Sequence, residues 1–202
     1  MSFCVGLTGG IGCGKSRATE IFAQLGAGVV DTDVISRELT AAGGAGSKAL
    51  AAEFGPDYVL PDGSLDRARM RALVFTESAA KRKLEAILHP LIRAVARERI
   101  ASATEPYVIV VVPLLLETGA YRELLDRILV VDCDEDEQVL RTVARSGLSK
   151  DEVRAIMAAQ LPRRERLKHA DDVLHNDVDI KWLRAQVETL HGRYLEAARK
   201  AS

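Results

Sequence analysis

Two rhythms of apolar and polar positions alternate along the chain. Residues 3–8 form a short apolar run closed by Gly9-Gly10, the pattern of a buried strand entering a tight turn. Beyond Lys15, Ala18, Ile21, Phe22 and Leu25 recur at the three-and-four spacing of an amphipathic helix, and Gly26 stands where such a helix stops. Val29 and Val30 lead into Asp31-Thr32-Asp33, a second short strand with acids at its carboxyl end. From residue 36 to 103 the pattern predicts helices, among them 67–75, 79–88 and 90–100, broken by Gly43-Gly44, Pro56, Pro61-Asp62-Gly63 and Pro90. Pro90 suits the first turn of a new helix, where its missing N–H is not needed. Two unbroken apolar runs follow, 107–112 and 127–132, on either side of a short helical stretch near 121–125. Such runs mark parallel strands covered on both faces. Ser149 and Glu152 form a capping box at a helix start after Gly147. Residues 172–175 are a candidate last strand, and Ile180, Leu183, Val187, Leu190 and Tyr194 line one face of a closing helix.

Composition narrows the class. The 202 residues carry 28 basic and 29 acidic side chains, a net charge of −1, which excludes a protein that binds nucleic acid through general basicity. At 48% hydrophobic the chain supports an ordinary globular core. Its three cysteines, Cys4, Cys13 and Cys133, are widely spaced without a CxxC pair, which fits a reducing compartment and predicts no zinc site. The longest apolar run, 108–116, contains Pro113 and falls well short of the roughly 20 residues that a membrane helix needs. No basic and apolar leader opens the sequence, so a cytoplasmic protein is expected; a monomer is expected as well. The balanced total hides a split: residues 132–137 hold five acids in six positions, while 141–168 hold eight basic residues against three acidic ones.

The chemistry is carried by Gly9-Gly10-Ile11-Gly12-Cys13-Gly14-Lys15-Ser16, which satisfies G-x-x-x-x-G-K-[ST] between a predicted strand and a predicted helix. Glycines let the backbone curl with its N–H groups inward, toward phosphate oxygens at the positive end of a helix. Lys15 adds a point charge for the β- and γ-phosphates, and Ser16 offers a hydroxyl to Mg²⁺. A turn that merely caps a helix would not need lysine and serine in this register. A nucleoside triphosphate with Mg²⁺ is therefore expected. No Asp has Gly three residues later and no Asn-Lys pair exists, which disfavours a GTPase. The strand at 108–112 runs into Pro113-Leu114-Leu115 instead of acids, which disfavours an ATPase motor. A small-molecule kinase remains.

Five segments go further. The phosphate loop, Asp31-Thr32-Asp33-Val34-Ile35-Ser36-Arg37, His89-Pro90-Leu91-Ile92-Arg93, Val112-Pro113-Leu114-Leu115-Leu116-Glu117 and Ala170-Asp171-Asp172-Val173-Leu174-His175-Asn176 together resemble the dephospho-coenzyme A kinase family in order and spacing, over nearly the whole chain. The resemblance implies transfer of the ATP γ-phosphate to the ribose 3′-hydroxyl of dephospho-coenzyme A, with no nucleic acid or membrane partner. It implies an α/β fold: a parallel-sheet P-loop kinase core with helices on both faces (1–35, 104–138 and 170–202), a helical substrate-binding insertion (36–103) and a small helical lid (139–169). A nucleoside monophosphate or sugar kinase, or an ATP-binding module without catalysis, are the alternatives.

Candidate roles follow. Asp33 at a strand end is placed to accept the hydroxyl proton, to order a magnesium water, or both, and the family puts its proposed base at the matching position. Asp31 reads as a helix cap. Gly10, Ile11, Gly12, Cys13, Gly14, Lys15, Ser16 and Arg17 are expected on the nucleotide, with Asn176 near its adenine by the resemblance. Arg37, His89 and Arg93 are expected on substrate phosphate, and Pro113 and Leu114 as an apolar wall or simply the exit of a core strand. Arg141 and Arg145, one helical turn apart in the basic segment, are candidate lid cations. Arg154, Arg163 and Arg164 read as solvated surface, while Gln160, Arg166 and Lys168 lie in a family-like stretch without an assigned role. Three positions depart from the family: Cys13 replaces a usual Ser, Arg17 a usual Thr, and Asp177-Val178 the usual small residues. Cys13 is expected to be harmless there, although a thiol at a helix N-terminus can be acidic and oxidation-prone.

Overall fold

The structure, a computed structural model, describes residues 2–201. The strands are β1 Phe3–Gly9, β2 Gly28–Asp31, β3 Tyr107–Val111, β4 Arg127–Asp132 and β5 Asp172–His175. The helices are α1 Lys15–Gln24, α2 Thr32–Leu39, α3 Ala45–Phe54, α4 Arg67–Thr76, α5 Ser78–Ser102, α6 Leu115–Thr118, α7 Glu135–Ser146, α8 Lys150–Ala158, α9 Arg163–Lys168 and α10 Ile180–Ala201. The chain divides into two compact units, one running to Val30 and resuming at Ile100, the other Asp31–Arg99.

The first unit is organised by a sheet in the order β2-β3-β1-β4-β5. The pairings of β1 with β3, β1 with β4 and β4 with β5 are parallel, with Val5 opposite Ile109 on one side and Arg127 on the other. Parallel neighbours require crossover connections, and their apolar runs must be covered on both faces. Every residue of β3 is buried, as is β4 from Ile128 onward. One face packs Val5, Leu7, Ile109, Val111, Leu129 and Leu174 against Ile21 and Phe22 of α1 and Leu183, Val187, Leu190 and Tyr194 of α10. The three-and-four spacing read from the sequence is what turns these side chains inward. Tyr194 stacks on Phe22 at 6.1 Å and donates its hydroxyl to buried Asp172 at 3.0 Å. Asp172 is further neutralised by Arg127 at 2.8 Å and Arg193 at 3.0 Å.

The second unit is mainly helical. Asp31 caps α2 by accepting the N–H groups of Asp33 at 2.8 Å and Val34 at 3.2 Å. Arg67 ties α4 to the end of α2 by donating to Thr40 Oγ1 at 2.7 Å and the Arg37 carbonyl at 3.2 Å. One expectation fails here. Residues 79–88 and 90–100 are a single helix, α5, with Pro90 inside it. Pro90 forgoes only the bond to the Ala86 carbonyl, while Ala80, Leu88, Ile92 and Ala96 keep a buried stripe continuous through it. Tertiary burial outweighs the local breaker.

Candidate active site

The phosphate loop turns from the end of β1 into α1. Gly12 and Gly14 adopt φ of +74° and +94°, left-handed backbone that other residues rarely take. The first N–H groups of a helix have no partner inside it. At α1 no side chain caps them and the first turn holds no acid, so this end is open to an anion. Lys15 Nζ folds over the loop and donates to the carbonyls of Gly9 at 2.8 Å and Gly10 at 2.9 Å. Ser16 and Arg17 are exposed, and Arg17 pairs with Glu20 at 2.9 Å.

Side chains from far along the sequence surround this loop. Asn176, after β5, donates Nδ2 to the Cys13 carbonyl at 2.9 Å. Gln160 accepts the Ile11 N–H at 3.0 Å. Gln138 of α7 donates to the Cys133 carbonyl at 3.0 Å and sets its Oε1 against Gly10. A Cβ at Gly12 would stand 2.5 Å from Thr142 Oγ1, a buried hydroxyl with no hydrogen-bond partner among the described residues. Cys13 is buried within this ring. Burial pushes its thiol up, against the opposing pull of Lys15, so the acidity that a helix N-terminus can confer is absent here: desolvation outweighs it.

The charged segments also find partners. Arg163 is not solvated surface, contrary to the sequence reading. Its Nε and Nη2 grip both oxygens of buried Asp132 at 2.9 and 2.7 Å, and its Nη1 reaches Asp134 at 2.6 Å. The hydrogen bonds to Asp132 hold this guanidinium firmly protonated. Glu135, Asp136 and Glu137 occupy the first turn of α7, where the helix dipole favours acids. Arg141 pairs with Glu137 at 3.2 Å, and Arg145 is exposed in the last turn. Pro113 accepts the Thr8 hydroxyl at 3.1 Å, and Leu114, 44% exposed, precedes α6.

In the second unit Asp33 and Arg37 are exposed one turn apart on α2. His89, Pro90, Arg93, Ala94 and Arg97 line a cleft of about 440 Å³ along α5. Arg97 had escaped the sequence reading, although it continues the every-fourth-residue spacing of His89 and Arg93. Gln138 and Thr142 were also missed, since nothing local to them signals proximity to residues 9–14, and Glu117, although part of the 112–117 segment, was given no role. Among the described residues no three His, Cys, Asp or Glu side chains cluster as a metal site. No described helix is long and apolar enough to cross a membrane.

Residues 3–181 match the family described as CoaE, dephospho-CoA kinase. A dephospho-CoA kinase of Dechloromonas aromatica is 57% identical over 96% of this chain and 94% of its own length. One from Nitrosospira multiformis is 55% identical over 96% and 97%. The solved dephospho-CoA kinase of Campylobacter jejuni superposes with a TM-score of 0.72 at 25% identity, covering 98% of this chain and 99% of that one.

Proposed function

We propose a division of labour for this chain, which belongs to the dephospho-CoA kinase family: the phosphate loop seats the nucleotide, and α2 and α5 supply the groups that meet the acceptor. The reaction is transfer of the ATP γ-phosphate to the ribose 3′-hydroxyl of dephospho-coenzyme A, the last step of coenzyme A synthesis. Another acceptor class, or an ATP-binding module without catalysis, is not favoured by relatives that share one activity over nearly the full length.

The observation that carries the assignment of the nucleotide is the open, uncapped start of α1 beneath two left-handed glycines, with Lys15 folded over it. Residues 10–17 take the phosphates, Lys15 meets the β- and γ-groups, and Asn176 fixes the loop on the adenine side. Ser16 would hold Mg²⁺. The fit is good without an acidic cluster, because Mg²⁺ keeps several waters and completes its shell with phosphate oxygens. When bound, the ion neutralises charge on the phosphates.

Asp33 is the proposed base. Its backbone is fixed by the Asp31 cap and the residue is exposed. The 3′-hydroxyl oxygen bonds to γ-phosphorus, its proton passes to the Asp33 carboxylate, and the bond from phosphorus to the β–γ bridging oxygen breaks to release ADP. Arg37, His89 and Arg93 are proposed to take the acceptor's diphosphate, with Pro113 and Leu114 an apolar wall. Arg141, once it leaves Glu137, and Arg145 are proposed to reach the nucleotide phosphates. The test is ADP release dependent on dephospho-coenzyme A. Asp33→Asn is expected to keep ATP affinity and lose about 100-fold or more in kcat; an unchanged kcat would remove Asp33 as the base.

A further inference from the structure

Among the described residues the fold buries three charged ones, Asp132, Arg166 and Asp172. Asp132 is neutralised by Arg163, and Asp172 by Arg127 and Arg193. Arg166, only 6% exposed, has no carboxylate within ion-pair reach among the described residues. Its Nη2 donates to the Leu161 carbonyl at 2.7 Å, which satisfies a hydrogen bond and leaves the charge uncompensated. A buried cation without a counter-charge is expensive, so this placement calls for an anion that the chain does not supply.

The direction of the side chain identifies the anion. A Cβ at Gly10 would meet Arg166 Nη1 at 3.1 Å, and Lys15 Nζ sits on the carbonyl of that same Gly10 at 2.9 Å. Two cations converge on one residue of the phosphate loop and repel each other until negative charge joins them. The frame behind Arg166 is fixed from both sides. The Leu161 N–H donates to Glu117 Oε1 at 2.9 Å, its carbonyl takes Arg166, and the adjoining Gln160 holds the Ile11 N–H. Exposed Arg145 has no such frame.

We propose that Arg166 is a catalytic residue whose guanidinium meets the γ-phosphate alongside Lys15, with Glu117 and Gln160 as its positioning residues. This rests on the kinase reading above. Arg166 moves no proton: it balances the charge that spreads over the equatorial oxygens while the acceptor oxygen bonds to phosphorus and ADP departs. Its fork of donors suits paired phosphate oxygens.

The test is Arg166→Gln, whose amide retains a donor for the Leu161 carbonyl while the charge is lost. The expected result is an unfolding midpoint equal to or above the parent's and a kcat about 100-fold lower. The variant's preference for β,γ-imido-ATP over ADP, measured by calorimetry, should also fall at least about 10-fold relative to the parent, the scale of one lost charge-assisted contact. A kcat within about threefold of the parent, or equal losses for both nucleotides, overturns the proposal. If Arg166→Gln does not fold, the same two measurements on Arg166→Met decide, and failure of both to fold makes Arg166 a structural prop and overturns it too. A parent enzyme that releases no ADP with dephospho-coenzyme A would sink the reaction itself, which is a separate outcome.

Discussion

Gln160 and Asn176 hold the phosphate loop across sequence separations of 149 and 163 residues, whereas the α5 cleft is lined from within a single helix. The loop's backbone, its lysine and its buried thiol are each fixed before any ligand arrives. Along α5, His89 and Arg97 are exposed and Arg93 half-buried. The contrast fits the two tasks. Charge stabilisation during phosphoryl transfer works best from groups that need no reorganisation at the moment of reaction, while the cations proposed to meet the acceptor stand on long side chains whose ordering on binding costs entropy.

Two glycines give the largest expected break in this contrast. Gly12 and Gly43 share a φ of +74°, but a Cβ at Gly12 would press on Gln138 and Thr142, while one at Gly43 meets nothing within 4 Å. Gly43→Ala should cost about 1–2 kcal/mol of stability for the left-handed backbone alone and leave kcat/KM within about threefold. Gly12→Ala should lower kcat/KM about 1000-fold, as the loop leaves its productive geometry. Steady-state kinetics with parallel denaturant unfolding separate the two; similar losses in both variants would mean that the ring around the loop contributes nothing beyond the backbone strain.

A smaller effect tests the other side. Arg93→Ala should raise KM for dephospho-coenzyme A about 10-fold while KM for ATP stays put, the loss of one charged hydrogen bond in an adaptable site. An increase in KM for ATP instead would tie α5 to the nucleotide. The smallest effect concerns the covered face of the sheet, where burial, with help from Asp126, pushes the Cys4 thiol from 9.0 up to about 11. The folded state therefore favours the proton on Cys4. The stability this lends is complete below pH 9 and lost as pH rises through 11. Cys4→Ala should flatten that part of the stability curve in denaturant titrations, and an unaltered slope would show that Cys4 does not carry it.

What could be read from residues alone divides along the same line. The phosphate loop, the Asp31 cap and the Ser149–Glu152 capping box are local devices, in which a short run of residues contains both partners of each bond. The strands β3 and β4 were legible because burial on both faces leaves unbroken apolar runs. Arg163 was misread because its partners Asp132 and Asp134 lie about thirty positions away, at separations of 31 and 29. Arg166 lay in a family-like stretch, but nothing in its neighbours distinguished it as buried while Arg164 is exposed. Pro90 misled for a related reason: its local preference is real, but the buried stripe through Leu88, Ile92 and Ala96 is stronger.

The central place of β1 in the sheet has a consequence for how the molecule is made. This strand leaves the ribosome first, yet its sheet neighbours begin at Tyr107 and Arg127, and the residues that lock the turn beyond it come at Gln160 and Asn176. At ordinary translation speeds of about 5–20 residues per second, β1 waits several seconds for its neighbours and longer for those locks. A nascent chain halted before residue 176 carries the complete glycine-lysine signature without the finished nucleotide seat. ATP captured by arrested chains of increasing length would therefore report the arrival of Asn176, although the loop residue that it holds lies 163 positions earlier.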